Sequence, residues 1–174
     1  MPYTFLIGGA RSGKSSLAIR LALAFDGPVV ALVTAEPRDE EMAERIRAHR
    51  AARPAGWETV EAPLELLHAI RAIGEPTCVI LDCLTLWVSN ALEAGDPEDE
   101  IDREARALAS TLAERAAPAI VVSNEVGLGI VPANELARTY RDVLGRVNGS
   151  FAAAASRSFL VVAGRGLPLE GVTS

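Results

Sequence analysis

The stretch YTFLIGGARSGKSSLAIRLALA, residues 3–24, decides the fold of this chain. It begins with a short apolar run typical of a buried strand and ends with a pattern typical of a helix. Between them lies GGARSGKS, residues 8–15, which satisfies the pattern G-x-x-x-x-G-K-[ST]. In such a loop the backbone N–H groups and the N-terminus of the helix bind phosphate oxygens. The sequence therefore predicts a nucleotide-binding site in this loop.

Lysine is used once in the chain, at Lys14, although Lys and Arg together number 17. A guanidinium is planar and bulkier than an ammonium, so it does not replace a lysine that reaches between phosphates. We expect Lys14 to contact the β- and γ-phosphates and Ser15 to offer its hydroxyl to Mg²⁺. The predicted phosphate-binding residues are Gly8, Gly9, Ala10, Arg11, Ser12, Gly13, Lys14 and Ser15.

The composition predicts one domain over residues 1–174. The length suits a single core, and 49% of the residues are hydrophobic. A net charge of −6 argues against a general nucleic-acid binder, which needs a cationic surface. No apolar run approaches the ~18 residues that a membrane span needs. Cys78 and Cys83 flank an apolar run and are expected to be reduced thiols, so we expect a cytoplasmic protein.

Apolar, β-prone runs alternate with helical patterns, which predicts βαβ units and an α/β fold with a mostly parallel sheet flanked by helices. The expected strands are Tyr3–Ile7, Val29–Val33, Trp57–Val60, Thr77–Leu81, Ala119–Ser123 and Phe159–Val162. The expected helices are Lys14–Ala24, Glu40–Ala52, Leu64–Ile73, Leu84–Leu92, Pro97–Ala116 and Asn134–Ala155. The remaining stretch, Ala163–Ser174, is expected to be a tail without regular structure.

Ligands of such sheets bind beyond the carboxyl ends of the strands, so the loops after Ile7, Val33, Leu81 and Ser123 should share one edge. Asp82 follows one of these strands, where a carboxylate would hold Mg²⁺. The alternative is that Asp82 caps the next helix. The loop Asn124–Pro132 follows another strand, and it is either a substrate loop or a tight connection with apolar packing.

The helix predicted over residues 40–52 carries a second candidate group. Ile46, His49, Arg50 and Arg53 lie at i, i+3, i+4 and i+7, so they share one face. Two arginines suit phosphate oxygens, and an imidazole can attack phosphorus. A lone histidine is more often a surface residue, so this pattern alone does not establish a catalytic role.

Four segments together resemble the bifunctional adenosylcobinamide kinase/adenosylcobinamide-phosphate guanylyltransferases of cobalamin biosynthesis. The segments are GGARSGKS, DEEMAERIRAHRAARPAGWETVEAP, DCLTLWVSN and SNEVGLGIVPANELARTYRDVLGRVN. The similarity runs in order from about Phe5 to Gly166, and the combination of RAHRAARP, residues 47–54, with NEVGxGIVP is highly specific. The resemblance implies a RecA-like P-loop domain and a homotrimer.

The resemblance also implies two reactions. A nucleoside triphosphate, either ATP or GTP, phosphorylates adenosylcobinamide. GTP then gives GMP to the enzyme, and the GMP passes to adenosylcobinamide phosphate to form adenosyl-GDP-cobinamide. The histidine that carries GMP corresponds to His49. The nucleotide contacts that the resemblance implies are Gly8–Ser15, Thr34, Ala35, Glu36, Arg50, Ala51, Ala52, Arg53, Glu61 and Asp82.

Two alternatives remain at this point. One is a P-loop kinase for a small metabolite that lacks the guanylyl step. The other is a GTP-binding regulatory protein, although the chain has no N-K-x-D guanine motif. A regulatory protein would bind GTP without forming a covalent adduct.

Overall fold

The computed structural model describes residues 3–171, and within them the chain forms one seven-stranded sheet flanked by helices. The spatial order of the strands is β3-β2-β4-β5-β1-β6-β7. The strands are β1 Thr4–Gly8, β2 Val29–Val33, β3 Glu58–Glu61, β4 Cys78–Asp82, β5 Ala119–Asn124, β6 Arg157–Val162 and β7 Arg165–Leu169. Every neighbouring pair is parallel except β6 and β7.

The helices connect these strands. They are α1 Lys14–Ala22, α2 Glu40–Ala51, α3 Leu66–Ala72, α4 Leu84–Ala94, α5 Glu98–Glu114 and α6 Glu135–Ala154. Among the described residues, none of the helices combines the length and apolar character that a membrane crossing requires. The predicted mostly parallel α/β architecture is confirmed, and each predicted helix is present with small differences at its ends.

The central strands are apolar on both faces because helices cover both sides of the sheet. In β1, Phe5 and Ile7 pack into a cluster with residues of α3–α6, whereas Leu6 packs on the opposite face with residues of α1. This alternation follows from the strand, in which successive side chains point to opposite faces. Helix α2 is the exception, because it buries none of its residues.

The prediction of an irregular tail after Ala163 is wrong for β7. Residues Arg165–Leu169 pair antiparallel with β6 through a two-residue turn at Ala163 and Gly164. Both turn residues have positive φ, 49° and 74°, as a tight hairpin turn requires. Residues 172–174 of the predicted tail lie outside the described part of the chain.

Candidate active site

Strands β1, β2, β4 and β5 are adjacent and parallel, so their carboxyl ends meet at one edge of the sheet, here named the carboxyl edge. The prediction that four loops share this edge is confirmed. A cavity of about 650 Å³ lies there. Of the predicted site residues, it is lined by Ala10, Arg11, Ser12, Gly13, Lys14, Ser15, Ala35, His49, Arg50, Arg53, Glu61 and Asp82.

The phosphate loop is built around the ammonium of Lys14. Its Nζ donates to the carbonyl oxygens of Gly8 at 2.9 Å and Gly9 at 2.7 Å, and to Oγ of Ser12 at 3.3 Å. The residue is only 7% exposed. Burial lowers the pKa of Lys14, and the nearby Asp82 carboxylate opposes that shift. Lys14 is therefore enclosed by the phosphate loop in which the sequence placed it.

The N-terminus of α1 is open to an anion. Gly13 occupies its N-cap position with φ of 99°, and no side chain caps the helix there. The first turn also contains no acidic residue. Because the first N–H groups of a helix have no partner within the helix, they are available to phosphate oxygens at this position.

The phosphate loop rests on the β6–β7 turn. The N–H of Gly164 donates to the carbonyl oxygen of Ser12 at 2.8 Å. A Cβ at Gly13 would lie 3.0 Å from Cα of Gly164, and a Cβ at Gly8 would overlap the carbonyl oxygen of Val161. Both glycines are therefore required by close backbone contact with the hairpin as well as by the loop's curvature.

Asp82 ends β4 and points into the region between the loop and α2. Its Oδ2 lies 3.5 Å from Nδ1 of His49 and 3.8 Å from a terminal nitrogen of Arg53. The Asp82 side chain is 15% exposed and that of Arg53 is 10% exposed. Helix α4 has Cys83 at its N-cap and no capping side chain, so the alternative that Asp82 caps this helix is wrong.

Helix α2 brings His49 and Arg50 to the cavity, and Arg53, just after the helix ends, lines it as well. The carboxylate of Asp39 accepts from the N–H of Met42 at 2.7 Å and begins the helix. Arg50 faces Glu61, at the end of β3, across 3.9 Å. Since α2 has no buried residue, packing against the core does not account for this face. This face instead lines the cavity at the carboxyl edge.

The other predicted contacts do not line the cavity. Thr34 is fully buried, and its Oγ1 donates to the carbonyl oxygen of Cys83 at 2.7 Å and accepts from the Cys83 N–H at 3.1 Å. Glu36 pairs with Arg38 at 2.8 Å. Gly8 and Gly9 contribute carbonyl oxygens to Lys14, whereas Ala51 and Ala52 are exposed at the end of α2. Their contacts with a nucleotide stay predictions.

Further polar residues line the cavity that were not predicted as site residues, among them Arg45 and Thr85. Arg45 lies one helical turn before His49, and the i to i+4 spacing on α2 was the signal that could have revealed it. Thr85, in the first turn of α4, accepts from the N–H of Asn124 at 2.9 Å and thereby joins the segment after β4 to the end of β5. No sequence pattern indicates that pair, because it depends on the two strands being neighbours.

The open question about the loop after β5 is partly answered by its surface. Asn124 lines the cavity, but Leu128 and Ile130 are 84% and 98% exposed. The sequence left open a tight connection held by apolar packing. That alternative is wrong for Leu128 and Ile130, because neither side chain is packed against the protein.

Comparison with known proteins agrees with this geometry. The family model described as cobinamide kinase / cobinamide phosphate guanyltransferase matches residues 4–169. The chain belongs to this family. A bifunctional adenosylcobalamin biosynthesis protein, CobP, of Pseudomonas aeruginosa is 46% identical over 95% of this chain and 96% of its own length. A protein of the same description, CobU, of Salmonella typhimurium is 42% identical over 94% of this chain and 97% of its own length.

A solved structure shares the fold at much lower sequence identity. The assembled ATPase EscN of the enteropathogenic E. coli type III secretion system matches with a TM-score of 0.58 and 11% identity. The match covers 93% of this chain and 43% of EscN, and it concerns the fold alone. It confirms the RecA-like P-loop fold expected for a cobinamide kinase / cobinamide phosphate guanyltransferase.

The donor atoms of the site suit Mg²⁺. Ser15 and Asp82 both line the cavity and offer a hydroxyl and a carboxylate, the hard oxygen donors that Mg²⁺ prefers. Within residues 3–171 there is no group of three or more metal-ligating side chains. Mg²⁺ at nucleotide sites needs no such cage, because one or two protein ligands act together with the phosphates of the substrate.

Proposed function

We propose that this protein catalyses both reactions of its family in one domain. It phosphorylates adenosylcobinamide with ATP or GTP, and it transfers GMP from GTP through His49 to adenosylcobinamide phosphate. One observation carries the proposal: a histidine on α2 and the lysine of a phosphate loop face the same cavity of about 650 Å³. A triphosphate held by the loop is thus within the space into which a nucleophilic imidazole projects.

In the guanylyl half-reaction, His49 attacks the α-phosphorus of GTP and pyrophosphate leaves. Lys14 and the N–H groups of the loop stabilise the charge that develops on the leaving group. Arg50 and Arg53 supply donors for the oxygens around the α-phosphorus. The transfer is divided into two steps, because adenosylcobinamide phosphate then takes the GMP from the histidine.

In the kinase half-reaction the same loop holds the triphosphate, and the bond that breaks lies at the γ-phosphorus. Mg²⁺, when bound with the nucleotide, would neutralise charge on the phosphates, with Ser15 and Asp82 as its protein ligands. The protein's own contribution is the fixed position of Lys14 and of the open N-terminus of α1. Phosphoryl transfer of this kind depends mainly on such positioning and charge.

The covalent step is tested by incubating the protein with α-labelled GTP and Mg²⁺. We expect an acid-labile, base-stable label on the wild type and none on His49→Ala. The chain has two histidines, so His68→Ala is the matched control, and it should label as the wild type does because His68 lies exposed on α3. Equal labelling of the wild type and His49→Ala would contradict the proposal. Tight GTP binding with no label would favour a regulatory protein.

The kinase step is tested separately by phosphoryl transfer from ATP or GTP to adenosylcobinamide. We expect transfer by both the wild type and His49→Ala, because the imidazole has no part in this step. A wild-type protein that labels with GMP but never phosphorylates adenosylcobinamide would contradict the kinase half of the proposal.

We further propose that the protein is a cytoplasmic homotrimer. The family resemblance supports the trimer, and the exposed side chains of Leu128 and Ile130 are the kind of surface that assembly covers. Both cysteines are free, which suits a reducing compartment. Light scattering after gel filtration should give three times the chain mass of 18.4 kDa, and a mass of one chain would contradict the trimer. Cell fractionation tests the compartment.

A further inference from the structure

We propose that Asp82 is a positioning residue for His49 and directs guanylyl transfer to one nitrogen of the imidazole. The bond to phosphorus then forms at Nε2 and not at Nδ1. This inference rests on the proposed function, because it concerns the atom on which the GMP is carried.

The contact that carries the inference lies between Nδ1 of His49 and Oδ2 of Asp82, at 3.5 Å. The same oxygen is 3.8 Å from Arg53, so a cation faces it from a second direction. The carboxylate is 15% exposed, whereas the imidazole is 39% exposed. Nδ1 is the ring nitrogen that contacts the carboxylate at this distance, so Nε2 is left for an incoming phosphorus. Catalytic contacts of this length often shorten when the substrate binds.

The carboxylate also selects the tautomer. An ionised carboxylate accepts hydrogen bonds and donates none, and a neutral imidazole carries a single N–H. With that N–H at Nδ1, facing Asp82, the lone pair is at Nε2. A carboxylate that holds an imidazole in one tautomer is a known device of nucleophilic and general-base catalysis. Here it acts on the nucleophile itself.

The backbone around Asp82 is fixed, so the carboxylate has little freedom to move away. The carbonyl oxygen of Asp82 accepts from the N–H of Thr34 at 3.3 Å. The neighbouring Cys83 exchanges two hydrogen bonds with the Thr34 hydroxyl, at 2.7 and 3.1 Å. These bonds join the ends of β2 and β4, and a side chain held on rigid elements is a more exact support than one on a free loop. Thr34 thereby acts on the site without contacting the cavity.

The covalent step balances without a proton leaving the ring. The lone pair of Nε2 forms the N–P bond, and the bond from the α-phosphorus to the bridging oxygen breaks with its electron pair leaving on pyrophosphate. The ring becomes a cation that keeps its proton on Nδ1, opposite Asp82. When a phosphate oxygen of adenosylcobinamide phosphate attacks, the N–P electron pair returns to Nε2. Asp82 therefore stabilises the charge of the intermediate in both directions.

This role is compatible with the proposed Mg²⁺ ligand role of the same residue. Oδ2 is the atom that faces both His49 and Arg53. Oδ1 is the second oxygen of the same carboxylate and would be the one to bind a cation.

The first test uses nitrogen-15 NMR of the histidine rings in the free protein, at mildly alkaline pH and without nucleotide or Mg²⁺. The spectrum is simple because the chain has two histidines. We expect His49 to carry its proton on Nδ1, and the exposed His68 to show an ordinary tautomer mixture. Leucine has the same branched shape as aspartate and no hydrogen-bond acceptor. In Asp82→Leu the tautomer population of His49 should therefore shift towards the mixture shown by His68. Glu61 is another carboxylate of the same cavity and faces Arg50. The Glu61→Gln variant should leave the tautomer of His49 unchanged.

A proton on Nε2 of His49 in the wild type would overturn the inference. So would a His49 tautomer that is the same in Asp82→Leu and in the wild type. The measurement needs no catalytic turnover, and the circular dichroism spectrum reports whether the variant is folded.

The second test locates the bond in the wild-type adduct and needs no variant. Protein labelled with nitrogen-15 in its histidines is incubated with GTP and Mg²⁺, and the coupling of phosphorus-31 to each ring nitrogen is measured. Coupling to Nε2 of His49 is the expected result. Coupling to Nδ1 of His49 would overturn the inference and leave the GMP–histidine intermediate standing. No adduct on His49 would instead overturn the proposed function, and the tautomer measurement would still decide the role of Asp82.

Labelling rates give a third readout. We expect Asp82→Leu to form the GMP adduct at least ~10²-fold more slowly than the wild type, because the lone pair is no longer held at Nε2 and a proposed Mg²⁺ ligand is lost as well. A labelling rate within a factor of two of the wild type would contradict the positioning role.

Discussion

The ammonium of Lys14 and the carboxylate of Asp82 are two charged groups at the carboxyl edge, and each is held in place by its neighbours. Lys14 is held by three oxygens of its own loop, and Asp82 faces His49 and Arg53 through one oxygen. Each charged group is therefore fixed before any ligand binds. Groups fixed in this way need little reorganisation during a reaction.

Replacing Lys14 with arginine should abolish both reactions even though the charge is kept. The loop encloses a compact ammonium, and a planar guanidinium cannot place its donors on the carbonyl oxygens of Gly8 and Gly9. We expect Lys14→Arg to lower the rates of GMP labelling and phosphoryl transfer at least ~10²-fold. Arg20→Lys, at the exposed end of α1, is the control and should match the wild type. Near-normal rates for Lys14→Arg would show that the shape of the cation is unimportant.

Cys78 should make the protein less stable in alkali. Burial raises the pKa of this thiol from 9.0 to about 11, and the charge of Arg115 acts in the opposite direction. The unfolded thiol ionises first, so this stabilising contribution is complete below pH 9 and is lost as the pH rises towards 11. A loss of roughly 2–3 kcal/mol over that range is expected. Urea unfolding at several pH values gives the unfolding free energy as a function of pH. Between pH 9 and 11 this free energy should fall less steeply for Cys78→Ala than for the wild type. An equally steep fall in both would show that the Cys78 thiol is not the cause.

The sequence predicted those site residues whose position depends only on neighbouring stretches of the chain. The phosphate loop was predictable because its strand, loop and helix are consecutive in the chain. Asp82 was predictable because it follows an apolar strand. The contact between Asp82 and His49 was not, because it depends on how α2 lies across the carboxyl edge, and the helix buries no residue that would have revealed its orientation.

At the scale of elements, strand β7 and its pairing with β6 were not predicted, although β6 itself was. Strand β7 contains Gly166 and Pro168, both of which are rare inside strands, and it is exposed along its whole length. Its turn is Ala-Gly and not one of the common Asn-Gly or Asp-Gly pairs. As an edge strand it can tolerate a proline, so the composition that concealed it is explained by its position.

The hairpin's contact with the phosphate loop predicts different costs for two adjacent glycines. In Gly8→Ala the new Cβ would overlap the carbonyl oxygen of Val161 in β6, which is backbone and cannot rotate away. In Gly9→Ala the Cβ would have no atom within 4 Å. We expect Gly8→Ala to lose about 2–3 kcal/mol of unfolding free energy and Gly9→Ala less than about 1 kcal/mol. Urea unfolding measures both, and equal losses would contradict a required close approach.

At the scale of the whole molecule, the spatial order of the strands brings the residues of the site together. Strands β4 and β5 lie between β2 and β1, so segments that are far apart in the chain end side by side. The sequence predicted the strands and their parallel arrangement, but it does not encode their spatial order in any local pattern. The order is settled by long-range packing, in which α3–α6 cover one face and α1 the other.

Phe151 should be among the residues on which the stability of the whole fold depends. It lies on α6, is fully buried, and packs against the rings of Tyr3 and Phe5 with centroids 6.1 and 6.4 Å away. We expect Phe151→Ala to cost about 3–5 kcal/mol of unfolding free energy, because it leaves a cavity between α6 and β1. Leu23→Ala, at a residue 58% exposed, should change stability by less than about 1 kcal/mol. Similar losses would contradict the assigned packing.

The support of the phosphate loop by the β6–β7 turn has a consequence for synthesis in the cell. The loop is synthesised before Gly164, whose N–H binds the carbonyl oxygen of Ser12. A growing chain can form strand β1 and helix α1 long before the turn that braces the loop between them exists. Affinity for nucleotide should therefore arise late, so an incomplete chain would not sequester GTP.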